Sequence, residues 1–210
     1  LMNSIAGVFP VDSGKIILDG IDISRLPEHK RAKYIGRVFQ DPLKGTAYDM
    51  TIEENLSIAY NKIRSRGLQA GINRRDREIF REKLSLLGMG LEDRMKEKAR
   101  LLSGGQRQAL TLFMAVIAKP KLLLLDEHTA ALDPSAAKKV LELTDRFAGE
   151  DRMCTMMITH NMKAALEHGN RTILMQSGRI MMDISGEERE AMTVDKLVEK
   201  FEIDNDRMLL

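Results

Sequence analysis

Apolar positions along this chain change period several times, and each change marks an element. LMNSIAG, residues 1–7, spaces its apolar side chains as a helix face does, and Gly7 supplies the stop. Gly14 to Leu18, followed by Gly20, reads as a short strand between turns. YIGRVFQD, residues 34–41, alternates as a second strand and stops at Pro42, which has no N–H for a ladder. Thr51 followed by IEEN predicts a helix start with Glu54 as the capping-box acid and a run toward Tyr60. DREIFREKLSLL, residues 76–87, places Ile79, Phe80, Leu84, Leu86 and Leu87 on an amphipathic helix stopped near Gly88. From Thr111 to Ala118 the apolar residues are nearly continuous, as in a helix buried against a sheet, and Pro120 ends it. Leu122 to Leu125 and Met153 to Ile158 are short apolar runs without alternation, the pattern of parallel strands covered on both faces. Between them, Pro134 opens a crossover helix carrying Val140, Leu141, Leu143 and Phe147, with Gly149 as its predicted end.

After Asn161 a further helix is expected to reach about His168, and ILMQSGRIMMD, residues 173–183, reads as two strands joined around Ser177 and Gly178. Leu197, Val198 and Phe201 carry helical spacing into the tail. The sum is an α/β protein: a β-containing N-terminal part and an α/β C-terminal part flank a helical insertion at roughly residues 43–102.

Length allows one sizeable core, or a core plus a smaller lobe, in 210 residues. With 43% hydrophobic and 30% charged residues the chain is not of disordered composition, and a net charge of +2 selects no class of partner. The single cysteine, Cys154, sits in the apolar run MCTMMI and is expected to be a buried thiol. No apolar run approaches the roughly 18 residues of a membrane-spanning helix, so any membrane role must come through a partner subunit. Residues 63–77 are rich in Arg and Gly, which suits a solvated connection or else a basic docking surface. Helical spacing from the first residue, Leu1, predicts a segment upstream of it.

Polar residues at the ends of these elements carry the chemistry. Asp126 and Glu127 close the LLLLDE strand, where an α/β fold binds ligands, and two adjacent carboxylates there can divide work between Mg²⁺ and an attacking water. Ser103, Gly104 and Gly105 precede an apolar helix whose first N–H groups suit an anion, although a Ser-capped helix start is the plainer reading. His160 follows a core strand and can donate to a γ-phosphate. Gln40 ends the YIGRVFQ strand with an amide that can accept from water and donate to phosphate oxygen. Asp133, ahead of Pro134, is either a helix cap or a contact across a nucleotide-bridged dimer. The spacing of one Cys and four His matches no zinc pattern, and no GxSxG elbow occurs. Nor does any GxxxxGK[ST] phosphate loop.

LSGGQRQ at 102–108, LLLLDE at 122–127, AALD at 130–133, His160, Gln40 and SGKIILDG at 13–20 form an ordered set that resembles the nucleotide-binding subunit of an ATP-binding cassette transporter, of bacterial importer type. The resemblance implies a P-loop NTPase, RecA-like parallel-sheet core with a small antiparallel β region and a helical subdomain. It divides the chain into residues 1–42, the N-terminal core and antiparallel region; 43–102, the helical subdomain; 103–190, the C-terminal core; and 191–210, a C-terminal helix. It implies ATP and Mg²⁺ as cofactors, Glu127 and His160 as catalytic residues, and Asp126 and Gln40 at the metal. Gln40, Ser103, Gly104, Gly105, Gln106 and Asp133 would meet nucleotide or the partner subunit. The departure is the phosphate loop, which in relatives precedes a helix like LMNSIAG. Without it the chain could offer the LSGG half-site while failing to hold ATP strongly.

Implied partners are a second cassette subunit, transmembrane permease subunits docking around Pro42 to Ile58, and an extracytoplasmic substrate-binding protein, with the chain at the cytoplasmic face of a bacterial membrane. Two alternatives compete. A soluble cassette ATPase acting on nucleic acid or the ribosome draws support from the Arg-rich residues 64–81, but only 62 residues separate Gln40 from Ser103, too few for a long coiled coil. A non-hydrolysing fragment is the other.

Overall fold

The computed structural model describes residues 1–61, 72–150 and 153–200. They belong to two compact units, residues 1–158 and 159–210. Most of the Arg and Gly residues of the 63–77 stretch, and Phe201, lie outside the described residues.

In the first unit, helix α1 (Met2–Ala6) ends as its sequence predicts: Gly7 takes φ 89° and gives its N–H to the carbonyls of Asn3 and Ser4. Strands β1 (Ile17–Leu18) and β2 (Ile21–Asp22) pair antiparallel around Asp19 and Gly20, both at positive φ. The single strand expected at 14–18 is therefore half of a hairpin, because an Asp-Gly pair suits the two left-handed turn positions. Helix α2 (Glu28–Arg31) delivers Arg31 into the interior. Its guanidinium donates to the carbonyls of Leu26 and Ser4 at 2.7 Å and of Ile5 and Ser24 at 2.8 Å. A buried guanidinium is stable only with its donors satisfied in this way.

A parallel sheet of order β3-β4-β5 organises the unit, from β3 (Ile35–Val38), β4 (Leu122–Asp126) and β5 (Cys154–Ile158). Leu123, Leu124 and Leu125 of β4 are fully buried, each contributing about 1.5–3 kcal/mol of apolar burial. Strand β3 ends before Pro42, which opens a 3-10 turn over Pro42–Gly45 capped by Asp41. A Cβ on Gly36 would collide with the Ala115 carbonyl oxygen, so β3 lies backbone to backbone on helix α5 (Gly104–Val116).

Helix α3 (Ile52–Asn61) begins with the Thr51 and Glu54 capping box: the Thr51 N–H donates to Glu54 at 2.7 Å and the Glu54 N–H to the Thr51 hydroxyl at 3.2 Å. Helix α4 (Arg74–Ser85) starts two residues before the predicted span, because Asn73 and Asp76 form a capping box. Ile52, Leu56, Phe80, Leu84 and Leu87 share one core with Val38, Leu110, Phe113, Leu123, Val140 and Phe147. The helices between β3 and β4 are thus continuous with the sheet's packing.

Helix α6 (Pro134–Glu150) runs through Gly149 rather than stopping there. A glycine near a helix end costs under about 1 kcal/mol, less than burial of Val140, Leu143 and Phe147 returns. Strand β5 is less covered than its apolar run suggests: it flanks β4 on one side only, and Cys154 at its start is exposed, not buried.

In the second unit, Asn161 caps α7 (Met162–Glu167), and β6 (Arg171–Gln176) and β7 (Arg179–Ser185) form a hairpin turned at Ser177 and Gly178, both at positive φ. Helix α8 (Gly186–Glu190) follows, then helical residues 194–200. Met182, Ile184 and Leu197 form its core with Met162, Leu166, Leu174 and Met192.

Candidate active site

Parallel register sets Val38 of β3 beside Leu125 of β4, so both strands release their polar ends on the same side. Gln40 lies two residues past one end and Glu127 one residue past the other. The Gln40 amide donates to the Glu127 carboxylate at 3.0 Å. Glu127 stands in the left-handed region at φ 45°, and its N–H is tied to the Ile158 carbonyl at 3.0 Å. A non-glycine residue there carries about 1–2 kcal/mol of strain, which the surrounding bonds must hold.

Asp126 is partly exposed, and an Arg37 guanidinium nitrogen lies 3.7 Å from it. Arg37 also donates to the Asn3 side chain at 2.6 Å and lies 4.5 Å over the Phe39 ring. Arg37 thereby ties α1 to the acidic strand end. The buried Gln108 of α5 donates to the Phe39 carbonyl at 3.3 Å, anchoring the backbone directly before Gln40.

The start of α5 is organised locally. Ser103 and Gln106 form a capping box in which the Gln106 N–H donates to the Ser103 hydroxyl and the Ser103 N–H to the Gln106 amide oxygen, both at 3.2 Å. Gln106 also donates to the Met89 carbonyl at 3.2 Å and accepts from Arg94 at 3.4 Å. Gly104 and Gly105 occupy the first turn, where an α-helix supplies no intrahelical acceptor for their N–H groups. A Cβ on Gly105 would lie 2.7 Å from the Ala136 Cβ, so this glycine also permits α5 to meet α6.

Asp133 caps α6, accepting from the N–H and hydroxyl of Ser135 and the N–H of Ala136 at 3.0–3.1 Å. The Ala136 N–H first, and the Ser135 hydroxyl next, hold its carboxyl below its ordinary pKa. His160 is exposed in the second unit, in the loop leading to α7. The structure thus joins Gln40 with Glu127, sets Asp126 beside them, and brings the Gly105 turn against the start of α6. Arg37, Gln108 and Arg94 escaped the sequence reading. Only Gln108, inside LSGGQRQ, had a motif to flag it.

Oxygen donors at this strand end suit Mg²⁺, which takes one or two carboxylates and completes its shell with water and phosphate. No cluster of three or more His, Cys, Asp or Glu that could hold a metal occurs among the described residues. The α5 first turn suits an anionic phosphate.

Residues 1–130 match the ABC transporter family model. The chain belongs to the ABC transporter family. A tyrosine transport ATP-binding protein of Clostridioides difficile is 43% identical over 202 residues, covering 96% of this chain and 80% of that protein. A probable branched-chain amino acid transport ATP-binding protein of Archaeoglobus fulgidus is 32% identical, covering 86% of this chain and 72% of that protein. A dimeric ATP-binding cassette in a post-hydrolysis state bound to ADP and Pi superposes with TM-score 0.71 at 27% identity, over 88% of this chain and 78% of that chain.

This ABC cassette is accordingly an ATP-hydrolysing α/β subunit that uses ATP with Mg²⁺ to power transport. No helix among the described residues is long and apolar enough to cross a membrane. On α4, Arg77 pairs with Glu53 at 2.9 Å and Arg74 with Glu78 at 3.2 Å.

Proposed function

We propose that this subunit drives import of an amino acid at the cytoplasmic face of a bacterial membrane, fed by an extracytoplasmic binding protein. The names of the relatives support the substrate class: one serves tyrosine, another branched-chain amino acids. The observation that carries the chemical reading is the 3.0 Å bond between the Gln40 amide and the Glu127 carboxylate at adjacent strand ends. In this reading Glu127 accepts a proton from the attacking water, and Gln40 fixes the carboxylate that does so. His160 donates to the γ-phosphate, the first turn of α5, with Ser103, donates to phosphate oxygens across a dimer, and Asp133 links the subunits. Bound Mg²⁺ supplies charge neutralisation on the phosphates, and Asp126 and Gln40 are the residues that would hold it.

The permease surface is assigned to residues Pro42 to Ile58. Leu43, Tyr48 and Ile58, within that span, are 50%, 45% and 53% exposed. Domain limits at residues 42, 102 and 190 belong to the same proposal. Turnover and dimerisation of Glu127→Gln in the natural full-length polypeptide test it. Hydrolysis is expected to collapse while ATP still assembles a dimer on a sizing column; near-normal turnover overturns the role of Glu127.

A further inference from the structure

The loop between β4 and α6 carries a buried polar pair that no step above uses. His128 and Thr144 are 2% and 4% exposed, and the His128 Nε2 lies 3.1 Å from the Thr144 hydroxyl oxygen. Thr144 sits in mid-α6 and places its one hydroxyl hydrogen on the Val140 carbonyl at 2.9 Å. A hydroxyl has a single hydrogen, so toward the imidazole Thr144 can only accept. The hydrogen between them therefore belongs to Nε2 of His128.

His128 directly follows Glu127, whose φ of 45° does not hold itself. The Glu127 N–H is tied on one side to Ile158, and the residue after it is tied on the other side to α6. We propose that the Nε2–H of His128, donated to Thr144, is a pin that keeps the Glu127 backbone in its left-handed state and so aims its carboxylate at Gln40. His128 is thus a positioning residue, acting through Glu127, and the inference rests on the catalytic reading of that carboxylate. The pin also makes α6, which Asp133 opens, a reference frame for the carboxylate: a shift of the helix by a fraction of an ångström moves both ends of the intervening loop.

The test uses steady-state ATP hydrolysis by the natural full-length polypeptide and nitrogen-15 NMR of its histidine rings. Thr144→Val removes the acceptor at nearly constant shape and is expected to lower kcat about tenfold while KM for ATP moves less than about twofold, since misplacement by less than about 1 Å suffices for such a loss. Thr144→Ser keeps the acceptor and keeps kcat. Should Thr144→Val fail to fold, His128→Gln, which retains an N–H donor, is expected to keep more of kcat than His128→Leu, which has none. In the unmodified protein the His128 ring is expected to carry hydrogen on Nε2. A bare Nε2, an unchanged kcat in Thr144→Val, or equal losses in the paired variants overturns the pin. If Glu127→Gln abolishes turnover and Thr144→Val leaves it intact, the pin fails and the reading of Glu127 stands. If Glu127→Gln turns over normally, that reading fails first and the positioning role falls with it.

Discussion

Two polar ends, that of β4 and that of α5, are built in opposite ways. At β4, Glu127 meets Gln40, a residue 87 positions away in sequence, and the backbone before Gln40 is held by Gln108 from a third element. At α5, Ser103 and Gln106 satisfy each other across three positions. The first arrangement exists only once the sheet is assembled; the second forms with the helix itself. In the proposed reading, the chemistry that depends on aim lies where tertiary packing sets the geometry, while the turn proposed to face phosphate is ready as soon as the helix is capped.

Substitutions can break this contrast. The largest effect is expected from Glu127→Gln, with kcat reduced by about two orders of magnitude or more, as measured by phosphate release. Gln40→Ala should follow, lowering kcat about tenfold while leaving the thermal midpoint nearly unchanged, because the lost bond aims a carboxylate rather than building the core. An equal fall in stability would show that the Gln40 bond is structural. Ser103→Ala should do the reverse in calorimetry, costing about 1 kcal/mol through the lost cap, whatever its effect on turnover.

The smallest effect concerns Asp133. Its folded-state pKa lies below the ordinary 3.8, so the stability its cap contributes is present above that value and lost as pH falls through the lowered one. The difference in thermal midpoint between the unmodified protein and Asp133→Ala should be full at neutral pH and shrink only in acid. A difference independent of pH would assign the effect to packing rather than to the ionised cap.

The same contrast explains what the sequence disclosed. Short-range devices were legible: the Thr51 and Glu54 box, the Gly7 stop and the Ser177–Gly178 turn all act within a few residues. Asn73 and Asp76 carried the same kind of signal but sat in a charged run without apolar spacing, which moved the predicted start of α4. Cys154 misled because an apolar run does not state which neighbours its strand will have, and Gly149 because helix propensity yields to a buried face. Asp126 and Glu127 were legible together at a strand end, but Gln40 could be grouped with them only through resemblance to a family, since no local pattern joins residues 87 positions apart. Arg37 and the His128–Thr144 pair had no such guide, and only the packed chain brings them into view.

The clasp of Arg31 has a mechanical consequence. Its one planar group grips the last carbonyls of α1 and those of Ser24 and Leu26 just beyond the β1–β2 hairpin. The segment after that hairpin is thereby joined to α1, and Asn3 of α1 through Arg37 to the acidic end of β4. Two guanidinium groups thus form one continuous chain of contacts from the turn after the hairpin to the end of β4.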